Sequence, residues 1–226
     1  SYCYFSWRNT KAELTSYLNE LSRESADFFR PSFWVNTPDI LTEYLQFGGR
    51  PAFKIRATIA ATAGPSWGMY AGFELYEAVA RAGSEENIDN EKYEYKARDF
   101  VGSEDRGVSL APRIRLLNKL RKENPALGQL RNISTHYSDD EQILVYAKRL
   151  EPQFNGGKDN TVIVVVNTDP HSVRETMVHL DMGALDLPHS FEVEDLITGK
   201  KFSWGEHNFV RLDSFSEPAH ILRVIR

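Results

Sequence analysis

Residues 33–45, FWVNTPDILTEYL, change from one pattern to another in the middle of the stretch. Phe33–Val35 is an apolar run typical of a buried strand, and from Ile40 onward apolar residues recur at helical spacing. Four residues that are polar or favour turns separate the two patterns: Asn36, Thr37, Pro38 and Asp39. The stretch therefore predicts a strand that leads into a helix, with one carboxylate at the junction.

The same alternation of strand and helix continues on both sides of this stretch. Residues 2–7, YCYFSW, are rich in aromatic side chains and predict a strand. A helix follows, because Thr10 and Glu13 have the spacing of a capping box at its start. The helix after the polar corner is predicted to begin near Pro38, since proline suits the first helical turn.

Further along the chain, a helix is predicted from Pro51 to Gly64-Pro65, and residues 66–70 predict a third strand. Strands and helices that alternate in this order favour parallel βα units over a β-meander. Residues 81–107 are polar and without periodicity, and loops of this length in compact domains are usually functional or disordered. An amphipathic helix is predicted over residues 109–123.

The pattern changes near residue 132. From there onward, short apolar segments alternate with turn signals such as Gly156-Gly157 and Thr198-Gly199-Lys200. Eight strands are predicted, over ISTHYS, QILVYAKRL, TVIVVVNT, RETMVHLDM, SFEVEDLI, KKFSW, NFVRLD and AHILRVI. This spacing predicts a small antiparallel β-sandwich domain over residues 132–226, after an α/β domain over residues 1–131.

Composition excludes several classes of protein. The 226 residues are 41% hydrophobic and 26% charged, as in ordinary globular domains, and the net charge of -5 provides no basic surface for nucleic acid. No apolar run approaches the ~20 residues of a membrane helix. The single Cys3 excludes an internal disulfide and fits a reducing compartment. Because the first residues resemble the interior of a strand, we expect further chain upstream of Ser1.

Asp39 has two interpretations. An acidic residue in the first turn of a helix is stabilised by the helix dipole and needs no further role. Alternatively, Asp39 lies at the carboxyl end of a parallel barrel strand, where the active sites of (β/α)8 barrels are built. The pattern alone does not choose between the two.

Residues 87–96, NIDNEKYEYK, concentrate charged, amide and phenol groups. Within them, Asp89–Tyr93 offers strong hydrogen-bonding groups and an aromatic face, which suit the hydroxyls and ring faces of a sugar. A solvated loop explains the same composition. Glu74 and Glu77, three residues apart, are expected to be surface neighbours rather than a catalytic pair.

The sequence contains no histidine spacing that indicates a metal site, no nucleophile elbow and no phosphate-binding glycine loop. We therefore expect no metal or organic cofactor. Three aromatic residues of the second domain, Tyr137, Trp204 and Phe209, could bind a glucan if they were exposed. Strand periodicity favours inward-facing core positions for them.

Several segments together resemble one family. YFSWRNTKAELTSYL, FWVNTPDILTEYLQFGGRPAFKIR, GMYAGFELYE and ENIDNEKYEYK are similar to segments of the maltose-1-phosphate-dependent α-1,4-glucan maltosyltransferases, a branch of the α-amylase superfamily. The resemblance runs from Ser1 through the second domain and is most specific between Asn36 and Lys96. It implies that residues 1–131 are strands six to eight of a (β/α)8 barrel, followed by the family's C-terminal β domain.

The resemblance also implies roles for individual residues. Asp39 would be the acid after barrel strand seven, which binds ring hydroxyls of the transferred sugar and stabilises its cationic transition state. Asn36 belongs to the same motif, in which Pro38 replaces the histidine that most α-amylases have before this acid. The segment that contacts the donor maltosyl unit is matched by Glu91, Lys92 and Tyr93.

The implied activity is transfer, with retention, of maltosyl units from maltose 1-phosphate to the non-reducing end of an α-1,4-glucan. Retaining transfer needs two carboxyl groups about 5–5.5 Å apart. In the family both follow earlier barrel strands, so we expect them upstream of Ser1 and expect this chain alone to be inactive. The resemblance further implies a cytoplasmic homodimer. Two alternatives stay open: another enzyme of the superfamily, such as a hydrolase or a maltose–trehalose isomerase, and a non-catalytic glucan-binding module.

Overall fold

The computed structural model describes residues 1–91 and 95–225. The helices are α1 (Lys11–Ser22), α2 (Glu43–Phe47), α3 (Gly49–Ala63), α4 (Phe100–Asp105), α5 (Ala111–Glu123) and α6 (Met182–Leu185). The strands are β1 (Ser32–Trp34), β2 (Ser66–Gly68), β3 (Ile133–Ser138), β4 (Ile143–Leu150), β5 (Asn160–Asn167), β6 (Val173–His179), β7 (Phe191–Asp195), β8 (Lys201–Trp204), β9 (His207–Asp213) and β10 (Ala219–Ile225). Short 3-10 helices lie at Tyr4–Trp7, Ser25–Asp27, Phe73–Leu75, Pro125–Gly128 and Pro152–Phe154. Within these ranges, no helix has both the length and the apolar character needed to cross a membrane.

The first half of the chain contains a parallel pair of strands. β1 pairs with β2, with Ser32 opposite Ser66 and Trp34 opposite Gly68. α3 connects the two strands, as the alternating pattern predicts. A parallel bridge between Tyr2 and Ser32 places the start of the chain on the other side of β1. Three successive segments therefore run side by side in the same direction.

The strand predicted over residues 2–7 is wrong, because Tyr4–Trp7 forms a 3-10 helix instead. The fully buried Arg56 of α3 explains this difference. Its guanidinium donates hydrogen bonds of 2.6 Å to the carbonyls of both Phe5 and Arg8, and lies 3.9 Å from the centre of the Phe5 ring. These carbonyls are satisfied by the helix side chain and do not join a strand ladder.

The helix predicted to begin near Pro38 begins instead at Glu43. Thr37 and Ile40 close a two-residue turn through reciprocal backbone hydrogen bonds of 3.0 and 3.2 Å. Proline presets the backbone angle of the first central position of a turn as readily as that of a first helical turn, and here the turn forms. Asp39 therefore lies outside the helix, and its interpretation as a residue of the first helical turn is wrong.

The other helices of this half follow the sequence pattern closely. The predicted capping box of α1 forms: the Thr10 hydroxyl accepts the Glu13 N–H at 3.3 Å, and the Glu13 carboxylate accepts the Thr10 N–H at 3.1 Å. Residues 81–107 contain one helix that their polar pattern did not predict, α4. Asp99 caps α4 by accepting the Gly102 N–H at 2.8 Å.

The second half consists of strands, and all eight predicted strands are present. They pair antiparallel in the order β8-β7-β10-β5-β4-β3-β6-β9. The sheet folds over so that β4, β5, β7 and β10 pack on β6 and β9 around a common apolar core. Members of that core include Val145, Ile163, Val193, Val210 and Leu222. The all-β, sandwich-like architecture predicted for this half is therefore confirmed.

β4 and β5 are buried on both faces. On the face away from the sandwich core, Tyr146 and Val164 belong to a second apolar cluster, together with Leu14 of α1 and Ile59 of α3. Burial on both faces explains why β5 is an unbroken apolar run rather than an alternating one. The two halves of the chain consequently share one core.

The exposed aromatic residues of the second half differ from the prediction. Trp204 is buried as predicted, at 7% exposed, but the core positions predicted for Tyr137 and Phe209 are wrong, because these residues are 61% and 63% exposed. Val210 faces the sandwich core, so the alternation along β9 turns Phe209 outward. Tyr137 stacks on His179 of the neighbouring strand β6, with 5.5 Å between ring centres.

Candidate functional site

The two-residue turn after β1 carries Asp39. Pro38 and Asp39 are its central residues, and the backbone hydrogen bonds between Thr37 and Ile40 close it. Asp39 is exposed, whereas the other three residues of the turn are half-buried. The carboxylate thus reaches the surface at the carboxyl edge of the parallel strands, the edge at which ligands bind in α/β folds.

Asn36 joins the chain after β1 to the chain after β2. It is 1% exposed, and its side-chain oxygen accepts the Tyr70 N–H at 2.9 Å. Beside it, the Val35 N–H donates to the Gly68 carbonyl at 3.1 Å, which extends the strand pairing by one step. Asn36 thereby fixes the position of the turn relative to Tyr70.

Asn87, in the polar loop, holds the turn from the other side. It is 5% exposed, and its side-chain amide donates to the Thr37 carbonyl at 2.9 Å while its backbone N–H donates to the Pro38 carbonyl at 3.3 Å. Two residues earlier, the Glu85 carboxylate accepts the indole N–H of Trp7 at 2.9 Å. The turn is therefore tied to both strands and to the loop.

Glu91 lies further along the same loop, with a left-handed backbone conformation (φ 53°) that few residues other than glycine adopt. One carboxylate oxygen accepts the Tyr70 hydroxyl at 2.6 Å and an Arg98 N–H at 2.8 Å, and the other accepts the Lys96 backbone N–H at 3.0 Å. The hydrogen bonds from Tyr70 and Arg98 hold the pKa of Glu91 down to about 2, which keeps the group ionised at neutral pH.

Arg98 is the centre of this network. Its side chain is only 4% exposed and donates to both oxygens of Glu77, at 3.0 and 3.2 Å, in addition to Glu91. Its guanidinium carbon lies 5.5 Å from the centre of the Tyr70 ring. Burial opposes the positive charge, but the hydrogen bonds to Glu77 and Glu91 raise the pKa of Arg98 above its ordinary value.

The two acids in GFELYE face different partners. Glu74 accepts the Gly72 N–H at 3.0 Å, whereas Glu77 pairs with Arg98 and with the Lys96 ammonium at 3.2 Å. A small cavity of about 220 Å³ lies beside this network, lined by Glu77, Ala78, Val79, Asn87, Ile88, Asp89 and Lys96. Its walls combine carboxylates, an ammonium and aliphatic side chains. Nowhere in residues 1–91 and 95–225 do three or more His, Cys, Asp or Glu side chains form a group suited to a metal ion.

Two of the predicted site residues lie outside the described residues, namely Lys92 and Tyr93. The other three belong to the loops that follow β1 and β2. The sequence analysis missed Tyr70 and Arg98, although both contact Glu91. No local signal marks Arg98, because its carboxylate partners lie 7 and 21 residues away along the chain. Tyr70 stood at the end of a predicted strand, where its hydroxyl had no assigned partner.

Sequence comparison identifies relatives over the whole chain. Residues 135–224 match the family model described as GLGE, C-terminal. The chain is 50% identical to α-1,4-glucan:maltose-1-phosphate maltosyltransferase 1 of Streptomyces coelicolor, in a match that covers 100% of this chain and 33% of the relative. It is 52% identical to the corresponding transferase of Corynebacterium glutamicum, with 98% and 32% covered. For that of Mycobacterium tuberculosis the identity is 45%, with 99% and 32% covered. The chain spans about a third of the length of these curated relatives.

Solved structures with a similar fold include α-amylases. A crystal structure of an Anoxybacillus α-amylase matches with a TM-score of 0.64 at 17% identity, covering 98% of this chain and 44% of that protein. An α-amylase from Malbranchea cinnamomea matches with a TM-score of 0.66 at 13% identity, covering 97% and 43%. These likenesses concern the fold alone. The sequence identities confirm the resemblance: over its full length, the chain is similar to a C-terminal portion of the α-1,4-glucan:maltose-1-phosphate maltosyltransferases.

Proposed function

We propose that the chain is part of a retaining glycosyltransferase that moves maltosyl units from maltose 1-phosphate to the non-reducing end of an α-1,4-glucan. Relatives that are between 45% and 52% identical carry the name of this activity. The substrates in this proposal are those that the relatives' names state. The proposed protein partners are a further, N-terminal part of the same protein, which the greater length of the relatives supports, and a second copy of that protein.

In this proposal, residues 1–131 form strands six to eight of a (β/α)8 barrel, and residues 132–226 form the C-terminal β-sandwich domain. The parallel order of the segments at Tyr2, Ser32 and Ser66 supports the barrel, because successive strands of such a barrel are parallel neighbours. The helices α1 and α3 supply the crossovers between these segments.

The observation that carries the proposal is the position of Asp39 at the carboxyl edge of β1, in a turn fixed by Asn36 and Asn87. A carboxylate held there accepts hydrogen bonds from ring hydroxyls, and these bonds strengthen as positive charge develops on the sugar. Such bonds stabilise the transition state more than the bound substrate. The remaining proposed sugar contacts are Asn36, Glu91, Lys92 and Tyr93.

The bond-making carboxyl groups are proposed to come from outside these 226 residues. One would attack the sugar and the other would act as acid and base, at a separation of about 5–5.5 Å. Phosphate is a better leaving group than a sugar alkoxide, so departure of the donor needs less proton transfer. Asp39 would then support a reaction that this chain alone does not perform.

The test uses the full-length protein and measures phosphate release from maltose 1-phosphate with glycogen as acceptor. Asp39→Asn is expected to lower turnover by about 100-fold or more, with donor KM changed by less than about threefold, because the lost interaction belongs to the transition state. Asp105→Asn, an exposed carboxylate at the end of α4, is the matched control and should behave as the wild type.

Two results would overturn the proposal. Wild-type protein that releases free sugar from starch without any use of maltose 1-phosphate would overturn the transferase assignment. Unchanged turnover in Asp39→Asn would overturn the role of that residue. The purified 226-residue chain is expected to release no phosphate, and turnover by it would show that the bond-making carboxyls lie within it.

A second candidate function rests on the exposed face of β3, β6 and β9. Tyr137 and Phe209 both point outward there, and Asp139 lies 3.0 Å from the His179 ring that stacks on Tyr137. Exposed rings beside hydrogen-bonding groups suit sugar faces and hydroxyls. On this reading the face binds α-glucan chains without catalysis. Tyr137→Ala should then reduce co-sedimentation of the protein with glycogen, whereas the equally exposed Phe215→Ala should not; equal retention of both variants would contradict it.

A further inference from the structure

The loop that carries Glu91 is held in place by a buried ion-pair network, which a loop surrounded by solvent would not require. The side chain of Arg98 is only 4% exposed, and it faces two carboxylates that come from different segments, Glu77 after β2 and Glu91 in the loop. A buried guanidinium is tolerated only when such partners satisfy it. The network is therefore part of the folded structure and not a chance contact between surface side chains.

We propose that Arg98 is a positioning residue that fixes the loop of residues 87–91 and 95–98 against Tyr70, and so sets the wall of the sugar site beside Asp39. The inference rests on the proposed function in one respect, namely that this loop borders the sugar site. That Arg98 fixes the position of the loop is inferred from contacts within this chain alone.

The geometry of the guanidinium gives the first argument. Arg98 donates three hydrogen bonds at once, two to Glu77 and one to Glu91, with distances from 2.8 to 3.2 Å. Its planar fork matches a carboxylate at two points while a third N–H stays free for another partner. A lysine ammonium at this position keeps the charge but loses the two-point contact.

The backbone conformation gives the second argument. Glu91 has a positive φ of 53°, which disfavours a residue with a Cβ atom and persists only where the surroundings determine it. At Gly72 (φ 100°), an added Cβ would lie 2.2 Å from a Glu77 carboxylate oxygen and 3.0 Å from Arg98 Nε. The absence of a side chain at Gly72 thus leaves space for the Arg98–Glu77 pair, and the positive φ at Glu91 accompanies the contact of its carboxylate with Arg98.

The connection to the proposed catalytic turn runs through Tyr70. Its backbone N–H is bound by Asn36, next to the turn, and its hydroxyl donates to Glu91. Asn87, at the start of the loop, donates to the turn directly. Loosening Arg98 therefore frees the Glu91 end of the loop relative to Asp39, whereas the hydrogen bonds of Asn36 to Tyr70 and of Asn87 to the turn do not involve Arg98. Donor binding should suffer more than the chemical step.

The test compares three variants of the full-length protein. Arg98→Lys removes the two-point contact, and Tyr70→Phe removes a single hydroxyl, so that the fold is kept even if the lysine variant is unstable. Arg106→Lys is the matched control, because its pair with Asp99 is exposed, with side chains 61% and 62% accessible. Amide hydrogen exchange is measured without sugar, and donor KM and kcat are measured with maltose 1-phosphate and glycogen.

Arg98→Lys is expected to accelerate amide exchange in residues 87–91 and 95–98 by about tenfold or more, and Tyr70→Phe to do so to a smaller extent. Donor KM should rise by about tenfold in Arg98→Lys, while kcat changes by less than about threefold. Arg106→Lys should change neither quantity. Unchanged loop exchange in both Arg98→Lys and Tyr70→Phe would overturn the proposal, as would a fall in kcat with KM unchanged. If the wild type does not use maltose 1-phosphate, the proposed function fails, and the exchange measurement still decides the role of Arg98.

Discussion

Acidification should destabilise the β domain through one histidine, His136 of β3. Its Nδ1 accepts the Asp181 N–H at 3.1 Å, so its Nε2 carries the proton and faces the Ser134 hydroxyl at 3.0 Å. Burial lowers the pKa of His136 to about 4, although the nearby Asp181 carboxylate acts in the opposite direction. The imidazole is therefore neutral in the folded protein at pH 7.

The direction of the effect follows from the two states. The pKa of His136 in the folded chain lies below the value of about 6.5 in an unfolded chain, so the unfolded chain binds the proton more readily between these values. The contribution to stability is complete above about pH 6.5 and is lost as the pH falls toward 4. A difference of about 2.5 pH units corresponds to about 3.4 kcal/mol. Because His136 is only partly buried, we expect a loss of about 2–3 kcal/mol.

His136→Asn isolates this contribution, because the asparagine oxygen replaces the Nδ1 acceptor and does not titrate. The free energy of unfolding in urea, measured at pH 7.5 and pH 4.0, should fall by about 2–3 kcal/mol more in the wild type than in His136→Asn. Both proteins lose the same contributions from carboxylates far from the site, so these cancel in the difference. His189→Asn, at an exposed histidine, is the control and should follow the wild type. Equal pH dependence in wild type and His136→Asn would refute the reasoning, as would an imidazole titration of His136 near pH 6.5 by NMR.

Two further predictions concern a buried lysine and a closely packed glycine. Burial and the nearby charge of Arg121 lower the pKa of Lys148 to about 7, so between pH 7 and pH 10 the unfolded chain binds this proton more readily than the folded chain. The free energy of unfolding in urea should therefore rise from pH 7 toward pH 10 in the wild type relative to Lys148→Met. A constant difference between the two proteins would contradict this. A Cβ added at Gly68 would lie about 2.9 Å from the Trp34 ring, so Gly68→Ala should lower the free energy of unfolding by about 1–3 kcal/mol. Gly128→Ala is the control and should leave the stability unchanged, because there is open space where its Cβ would lie. Equal melting curves for the two variants would contradict this prediction.

The sequence predicted the strands of the second half well because each strand is short, apolar and bounded by turn residues. β5 illustrates the reason. Its uninterrupted apolar run is decided by burial on both faces, which length and flanking turns reveal without any knowledge of its neighbours. The side that faces outward was harder to predict: Phe209 and Val210 are adjacent apolar residues, and only the packing of β9 on the core decides which of them is exposed.

The errors in the first half come from contacts between residues distant in sequence. The segment at residues 4–7 has strand-like composition. However, its Phe5 carbonyl accepts a hydrogen bond from the side chain of Arg56, which lies 51 residues further along the chain. The turn at Asp39 is supported by Asn87, about fifty residues downstream. In the candidate site, the strand-to-helix junction indicated where an acid would lie. The Arg98 network could not be predicted, because each of its bonds joins loop residues that have no regular spacing.

The change of pattern near residue 131 separates two architectures, yet the contacts across it are those of a single body. Within the first half, the carbonyls of Ala61 and Gly64 at the end of α3 accept hydrogen bonds of 2.5 and 2.8 Å from Arg121 of α5. Across the boundary, the carbonyl of Ala63 accepts a hydrogen bond of 3.0 Å from the buried Lys148 of β4. Carbonyls at a helix C-terminus have no partner within the helix, so cations from outside satisfy them and complement the helix dipole. Because α3 connects β1 to β2, its C-terminus bound to the sandwich fixes the orientation of both strands. The sandwich therefore acts on the candidate site from a distance, by holding the strands whose carboxyl ends carry Asp39 and Tyr70.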